Sequence, residues 1–364
     1  MSSEDNIYRK LQKHLDKIFP VGFPEASSGV DIRLLQQFFT LEDAKIALHL
    51  SNKLEPLDQI RNRIIESGLS DANLEEILDK LTQKGAILGF KKGEIKFYSG
   101  ATWAVGISEN QVDKDITKEF AEDAREYDFN FYFKEWYKPD TPSQMRTIPI
   151  EKSLTPEHHV ATYDTIRQLI EDCEGPVAVL NCGCRQMRDI TNHSCTRWDI
   201  RETCIMLRGT AKMDIANGIG RQITKEEALE ILQRGEEEGM ILQPENSQSP
   251  NYICCCCGCC CRILGMAKQF SRPADFFQSN YYVEVNPELC EGCGTCVTRC
   301  HLDARTLIDN VSTVNLDHCI GCGNCVVTCE TKATILKKHE KEFVPPENTR
   351  DLYKQIMLKN NEQN

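Results

Sequence analysis

Cys290-Glu-Gly-Cys293-Gly-Thr-Cys296-Val-Thr-Arg-Cys300 is followed by Cys319-Ile-Gly-Cys322-Gly-Asn-Cys325-Val-Val-Thr-Cys329. Both stretches read C-x2-C-x2-C-x3-C. A tight glycine-containing loop lets three thiolates and several backbone N–H groups face one centre. The fourth cysteine, on a short helix, points away and reaches the centre of the other copy. Gly292, Gly294, Gly321 and Gly323 suit a chain that wraps closely around its ligand. Zinc sites use two separated C-x2-C pairs around one tetrahedral ion. Disulfide frameworks belong to short secreted chains. Eight cysteines in this doubled spacing fit two cubane clusters instead.

The segment from Tyr282 to Leu336, with strand-like flanks at Tyr282–Val285 and Thr334–Leu336, resembles the bacterial two-[4Fe-4S] ferredoxin family. The resemblance implies one cluster on Cys290, Cys293, Cys296 and Cys329, and a second on Cys319, Cys322, Cys325 and Cys300. That family usually has proline after each fourth cysteine, where this chain has His301 and Glu330. The change bears on the local turn, solvent access and potential, and leaves the ligands intact.

All 20 cysteines lie between Cys173 and Cys329. Upstream of the repeat are Cys182-Gly-Cys184-Arg185, then Cys195 and Cys204, then the run Cys254 to Cys261, interrupted only by Gly258. Such a run points to thiolate chemistry, since packing alone would accept alanine or valine. The candidate metal ligands are Cys182, Cys184, Cys195, Cys204, Cys254, Cys256, Cys257, Cys259, Cys260 and Cys261. Three readings stand. One is an additional iron–sulfur cluster shared between the 182–204 group and the run. Another is a structural zinc, for example on Cys182, Cys184, Cys195 and either His193 or Cys204. The third is a redox-active thiol or disulfide site. Cys173, standing alone, reads as a small buried hydrophobe. Residues 150–335 together resemble bacterial and archaeal ferredoxin-type proteins with a Cys-x-Cys-Arg motif, a cysteine-rich run and a C-terminal two-cluster domain. That resemblance implies a multi-cluster electron carrier.

The first 100 residues hold no cysteine. Leu34–Leu50 reads as one amphipathic helix, and Ile60, Ile64 and Ile65 mark another. Leu74, Ile77, Leu78 and Leu81 give a helix with Ser70 as its N-cap and Gly85 at its end. Ala86–Phe90 and Glu94–Tyr98 read as a hairpin turning at residues 91–93. Helices followed by a hairpin resemble a winged-helix domain. Its candidate recognition helix carries Asp71, Glu75, Glu76 and Asp79 against Lys80 and Lys84. Groove binding wants cations or amides there, so protein docking is the better expectation.

Between these regions, Tyr127–Tyr137 is an aromatic packing segment, Thr147–Ile150 a strand and 157–171 a helix. His158 and His159 read as surface or cap residues, and Val177–Leu180 as a buried strand. Thr224-Lys-Glu-Glu227 opens an amphipathic helix. After Pro345-Pro346, one solvent-exposed helix is expected over Thr349–Leu358. The predicted fold class is α+β and multidomain. Its parts are a winged-helix-like docking domain (1–100), a Cys-rich α+β middle domain (101–280), a two-[4Fe-4S] ferredoxin fold (281–340) and a tail (341–364).

With 43 basic and 55 acidic residues the net charge is −12, which argues against nonspecific nucleic-acid binding. Residues 101–280 hold 20 basic and 28 acidic side chains, suited to steering a basic partner. No apolar run approaches a membrane span, and the start lacks the pattern of a signal peptide, so a cytoplasmic setting is expected. No phosphate loop occurs, and Gly218-Ile-Gly220 is only a fragment of a dinucleotide motif. The expected function is therefore an iron–sulfur electron carrier serving redox partner proteins, as an accessory subunit or donor of an oxidoreductase complex in an anaerobic host. Two alternatives are a redox-sensing winged-helix regulator and an oxidoreductase working at the 254–261 run, for which Arg185, His193 and Arg197 are present as polar candidates.

Overall fold

The computed structural model describes residues 3–114, 116–136 and 141–363. Met1 and Ser2, at the start, and Tyr137, the end of the aromatic segment, lie outside them. The chain forms two compact units. One comprises Met1–Trp136, Asp189–His193 and Met213–Gly220; the other comprises Tyr137–Arg188, Ser194–Lys212 and Arg221–Asn364. The first unit thus runs past residue 100. Trp103, fully buried, meets Phe23 edge-on at 5.9 Å and Tyr127 at 5.5 Å, and these aromatic rings tie residues 101–136 to the N-terminal helices.

In the first unit, the stretch Leu34–Leu50 is two helices, Val30–Phe38 and Leu41–Ala47. Thr40 separates them: its hydroxyl accepts from the Asp43 N–H at 3.2 Å, and the Asp43 carboxylate accepts from the Thr40 N–H at 2.9 Å. This reciprocal cap starts a new helix where periodicity alone reads on. Ile60 and Ile64 are buried, while Ile65 is exposed. Helix Leu74–Lys84 ends at left-handed Gly85 but begins after Asn73 (φ 60°), not at Ser70. The Ser70 hydroxyl is instead engaged by the Ala72 N–H. Strands β1 (Glu55–Pro56), β2 (Ile87–Lys92) and β3 (Ile95–Gly100) pair antiparallel in the order β1-β3-β2.

The second unit is built on an antiparallel five-stranded sheet. Its strands are β4 (Val177–Asn181), β5 (Glu202–Leu207), β6 (Arg221–Ile223), β7 (Ile241–Pro244) and β8 (Tyr252–Cys256), in the order β6-β4-β5-β8-β7. Val179, Ile205, Leu207, Ile253 and Cys255 share a buried core on one face, with Cys173 in the same cluster. Helix Lys225–Glu237 covers this face, capped by the Thr224 hydroxyl accepting from the Glu227 N–H at 3.1 Å. A Cβ at Gly235 would come within 3.1 Å of the Cys255 sulfur, so glycine permits this close approach.

Two expected elements differ. Thr147–Ile150 makes only an isolated bridge, Ile148 to Leu242, because Pro149 lacks the N–H a ladder needs. Residues 157–171 hold two single turns and a short helix, Ile166–Glu171. His158 closes the first turn, its Nδ1 accepting from the Thr155 N–H at 2.9 Å.

The C-terminal helix, Thr349–Gln363, is not solvent-exposed throughout: Leu352 and Ile356 are buried at helical i, i+4 spacing. The buried Glu245 carboxylate anchors its first turn, accepting from the Thr349 hydroxyl at 2.8 Å and the Asn251 N–H at 2.9 Å. Burial pushes the Glu245 carboxyl up to about 7. Native Glu245 therefore still holds a proton where the unfolded chain, titrating near ~4.3, has released it. Its contribution to stability falls as pH rises from about 4.3 to 7 and then levels. Denaturant midpoints across this range will show that decline, and Glu245→Gln will flatten it.

Candidate iron–sulfur and thiolate sites

Around the cysteine repeat, β9 (Tyr281–Val285) pairs antiparallel with β12 (Thr334–Lys338), and β10 (Arg305–Ile308) forms a hairpin with β11 (Val311–Val314). Short helices Thr295–Arg299 and Asn324–Val327 each follow a left-handed glycine, Gly294 and Gly323. Each helix carries its fourth cysteine away from the preceding loop. Cys290, Cys293, Cys296 and Cys329 line one cavity of ≈ 130 Å³. Cys300, Cys319, Cys322 and Cys325 line a second, tighter one of ≈ 20 Å³. Each cavity thus joins three cysteines of one copy to the fourth of the other. Gly292 and Gly321 have positive φ, and a Cβ there would overlap the carbonyls of Asn310 and Tyr281.

The sulfurs already receive N–H donors of the kind that stabilise cluster thiolates. The Ser312 N–H donates to Cys290 Sγ at 3.3 Å and the Ala304 N–H to Cys300 Sγ at 3.2 Å. The Ser312 hydroxyl lies 3.0 Å from Cys296 Sγ. Arg305, buried, donates through Nη2 to Ser312 at 2.7 Å and Thr334 at 3.2 Å, while its Nε and Nη1 find no partner among the described residues. Burial pushes the Cys319 and Cys325 thiols up, and the Arg305 charge opposes it. Burial likewise pushes Cys322 up to about 12, so a thiolate there forms when a metal displaces the proton. Two cavities with four thiols each, both glycine-wrapped and the second lined by the half-paired Arg305 guanidinium, fit [4Fe-4S] cubanes.

His301 occupies the position after Cys300. It is buried, its Nδ1 accepts from the Gly258 N–H at 3.0 Å, and its Nε2 faces the Gly239 carbonyl at 2.6 Å. This is the neutral, Nε2-protonated ring, and burial keeps its pKa below the usual value. The side chain ties the second cavity to the cysteine-rich run.

That run is sorted by the two-residue period of a strand. In β8, Ile253 and Cys255 face the sheet core, and Cys257 follows with the same parity. The chain then turns at Gly258, with the Cys261 N–H donating to the Cys257 carbonyl at 3.0 Å. Cys195, Cys257, Cys259 and Cys260 converge, their sulfurs all within 4.8 Å of one another. Cys195 lies 3.6 Å from both Cys257 and Cys259, and Cys259 lies 3.4 Å from Cys257 and 3.7 Å from Cys260. A single ion with metal–sulfur bonds of about 2.3 Å sets tetrahedral sulfurs about 3.8 Å apart. The four-thiol group has that size, too close for a cubane with four irons between its thiolates. Hydrogen bonds, from Cys257 first, hold the Cys195 thiol well below the usual range.

The four-sulfur group is a different set from the zinc example suggested from sequence. Cys195 joins the run's core-side cysteines rather than Cys182, Cys184 and Cys204. His193 is not in the group either; its Nδ1 lies 2.6 Å from the Thr191 carbonyl. Beside the group sits Arg185, buried, donating to Thr203 Oγ1 at 2.5 Å and the Cys255 carbonyl at 3.2 Å, 3.8 Å from Cys257 Sγ. Its guanidinium stacks over Trp198 at 5.4 Å. Nearby thiolates, Cys182 first among them, raise its pKa against the opposing effect of burial.

Residues 282–330 match the family model of the 4Fe-4S dicluster domain. No curated protein and no solved structure matches the chain. The chain therefore carries an iron–sulfur domain near its C-terminal end, and that domain and the four-thiol group point to iron–sulfur electron transfer. No helix among the described residues is long and apolar enough to cross a membrane. Arg305, which lines the second cavity, is a side chain of this region that the sequence does not single out. It lies outside the cysteine spacing, and only the fold carries it between the cavities.

Proposed function

We propose that the protein relays single electrons between redox partner proteins through two [4Fe-4S] clusters and a metal-bearing middle domain. The supporting observation is that each cavity joins three cysteines of one copy with the fourth of the other. A cubane held by four thiolates exchanges one electron at a potential set by hydrogen bonds to sulfur, charge and burial. The chain's residues supply those settings unequally. Cys293 is exposed, and Leu307 on the rim of the first cavity is exposed as well. This is the edge where a partner can approach closely. The second cavity is enclosed by buried His301 and Arg305 and is linked through His301 to the cysteine run.

The N-terminal unit serves as a winged-helix-like docking module. Lys96 pairs with Glu75 at 2.7 Å and Asp79 at 2.6 Å, and Lys80 pairs with Glu76 at 2.7 Å. The cations beside this acidic helix are engaged internally, which disfavours the phosphate contacts that a DNA-bound regulator needs.

The test is an anaerobic redox titration followed by electron paramagnetic resonance. The proposal expects about two reducing equivalents taken up by the 282–330 segment, with spectra of interacting cubanes. A colourless protein that accepts no electrons contradicts it. Arg305→Met will lower the measured potential by about 60 mV, a tenfold change for one electron, because a buried positive charge favours the reduced state. An unchanged potential in a variant retaining full iron would remove Arg305 from this role.

A further inference from the structure

The four-thiol group is assembled from two pieces of chain. Cys195 comes from the loop ahead of β5, and Cys257, Cys259 and Cys260 come from the turn after β8. Strand alternation admits only part of the run. Cys254 and Cys256 have the parity opposite to Cys255, so they leave β8 on the face away from the core. Cys204 of β5 is the cross-strand partner of Cys254. Cys182, Cys184 and Cys261 also lie outside the four.

Both pieces grip the chain around Cys300, a thiol of the second cavity. Two residues after Cys195, the Arg197 guanidinium donates to the Thr298 carbonyl at 2.8 Å. Between Cys257 and Cys259, the Gly258 N–H donates to His301 Nδ1 at 3.0 Å. These two contacts bracket Cys300. A Cβ at Gly258 would fall 2.7 Å from the His301 carbonyl oxygen, so glycine lets the turn come this close. Cys319, Cys322 and Cys325 share one loop, whereas Cys300 arrives from the other motif. Its placement therefore depends on what holds residues 298–301. Arg299 and His301 fix the same stretch to residues 237–239 from another side. Only the side of the four-thiol group is built from metal-ligating residues.

We propose that Cys195, Cys257, Cys259 and Cys260 bind one soft tetrahedral metal ion, and that this ion is a clasp that holds Cys300 in place for the second cluster. The proposal rests on the reading of the middle domain as metal-bearing, and adds the site, its nuclearity and its role. Four of the sulfur pairs are separated by 3.6, 3.6, 3.4 and 3.7 Å. Those are the edges of a tetrahedron around one ion with bonds of about 2.3 Å. An all-sulfur tetrahedral set selects zinc or iron over hard cations. A divalent ion leaves four thiolates with two net negative charges. Buried Arg185, 3.8 Å from Cys257 Sγ, offsets one of them. The ion joins the two pieces of chain, so its removal loosens Arg197 and Gly258 from the two sides of Cys300 together.

The test uses the full-length chain purified anaerobically. Iron, zinc and acid-labile sulfide are counted in wild type and in Cys195→Ser/Cys259→Ser. Timed chelation, then alkylation and mass spectrometry, shows which thiols are freed and when. The variant is expected to lose about one metal ion and no sulfide. Zinc or iron in the lost fraction tells which ion the site holds. Cys319, Cys322 and Cys325 should be alkylated about tenfold faster than in wild type, with Cys290, Cys293 and Cys296 unchanged. Retention of all metal, or loss of iron with matching sulfide, overturns the single ion. Equal acceleration at both motifs, or none, overturns the clasp. Wild type lacking acid-labile sulfide contradicts the proposed function itself and takes the clasp with it, and the wild-type count alone tells that outcome apart.

Should the ligand variant fail to fold, Arg197→Ala carries the test, since it removes an exposed contact and no ligand. It is expected to keep the ion and to speed alkylation of the same three thiols by a smaller factor. Wild type must then also hold about one metal ion beyond the iron matched by sulfide. Unchanged release in Arg197→Ala, no such extra ion, or disulfides among the four thiols of the untreated protein overturns the proposal.

Discussion

Replacing Cys300 by serine will remove the iron bound by Cys319, Cys322 and Cys325, and will spare the cluster of the motif in which Cys300 itself stands. Cys300 lines the second cavity with those three residues, while Cys329 completes the first. The expected loss is about four of about eight irons, one cubane of two. A double-mutant comparison separates this from general damage. Cys300→Ser combined with Cys322→Ser should lose no more iron than either alone, because both act on one cluster. Cys300→Ser combined with Cys293→Ser should lose the sum. The reverse pattern would show that each motif keeps its own fourth cysteine.

Arg185→Leu is the second large effect. The guanidinium is 1% exposed, and it lies against Cys257 Sγ while acting on Cys182 and Cys195. Removing one partner of a buried charge arrangement costs roughly 3–5 kcal/mol, because the remaining charges stay unpaired in low dielectric. The leucine variant should unfold at markedly lower denaturant and lose metal from the middle region first. Arg185→Lys should fall between the two, since lysine keeps the charge but not the fork that reaches Thr203 and the Cys255 carbonyl together. Wild-type stability and metal content in the leucine variant would contradict a counter-ion role.

These two effects differ in how far the sequence reveals them. The doubled C-x2-C-x2-C-x3-C spacing is a local pattern, so both cavities are legible in it, and the strand flanks expected at 282–285 and 334–336 fall within β9 and β12. The Thr224 cap and the Gly85 stop are equally local. The sorting of the middle cysteines is not. It depends on which face of β8 each sulfur occupies and on the register that sets Cys204 opposite Cys254, fifty positions away in the chain. His301 stands out in sequence as a departure from proline, yet its partners, Gly258 and Gly239, come from elsewhere in the fold. The break at Thr40 was readable in principle, since Thr-x-x-Asp is a reciprocal cap, but the apolar periodicity runs across it.

The most direct test of the account is the iron, acid-labile sulfide and zinc content of the anaerobically purified chain. The account predicts about eight iron and eight sulfide for residues 282–330, with about one further metal ion for the four-thiol group. A chain holding zinc alone, with no acid-labile sulfide, would contradict it.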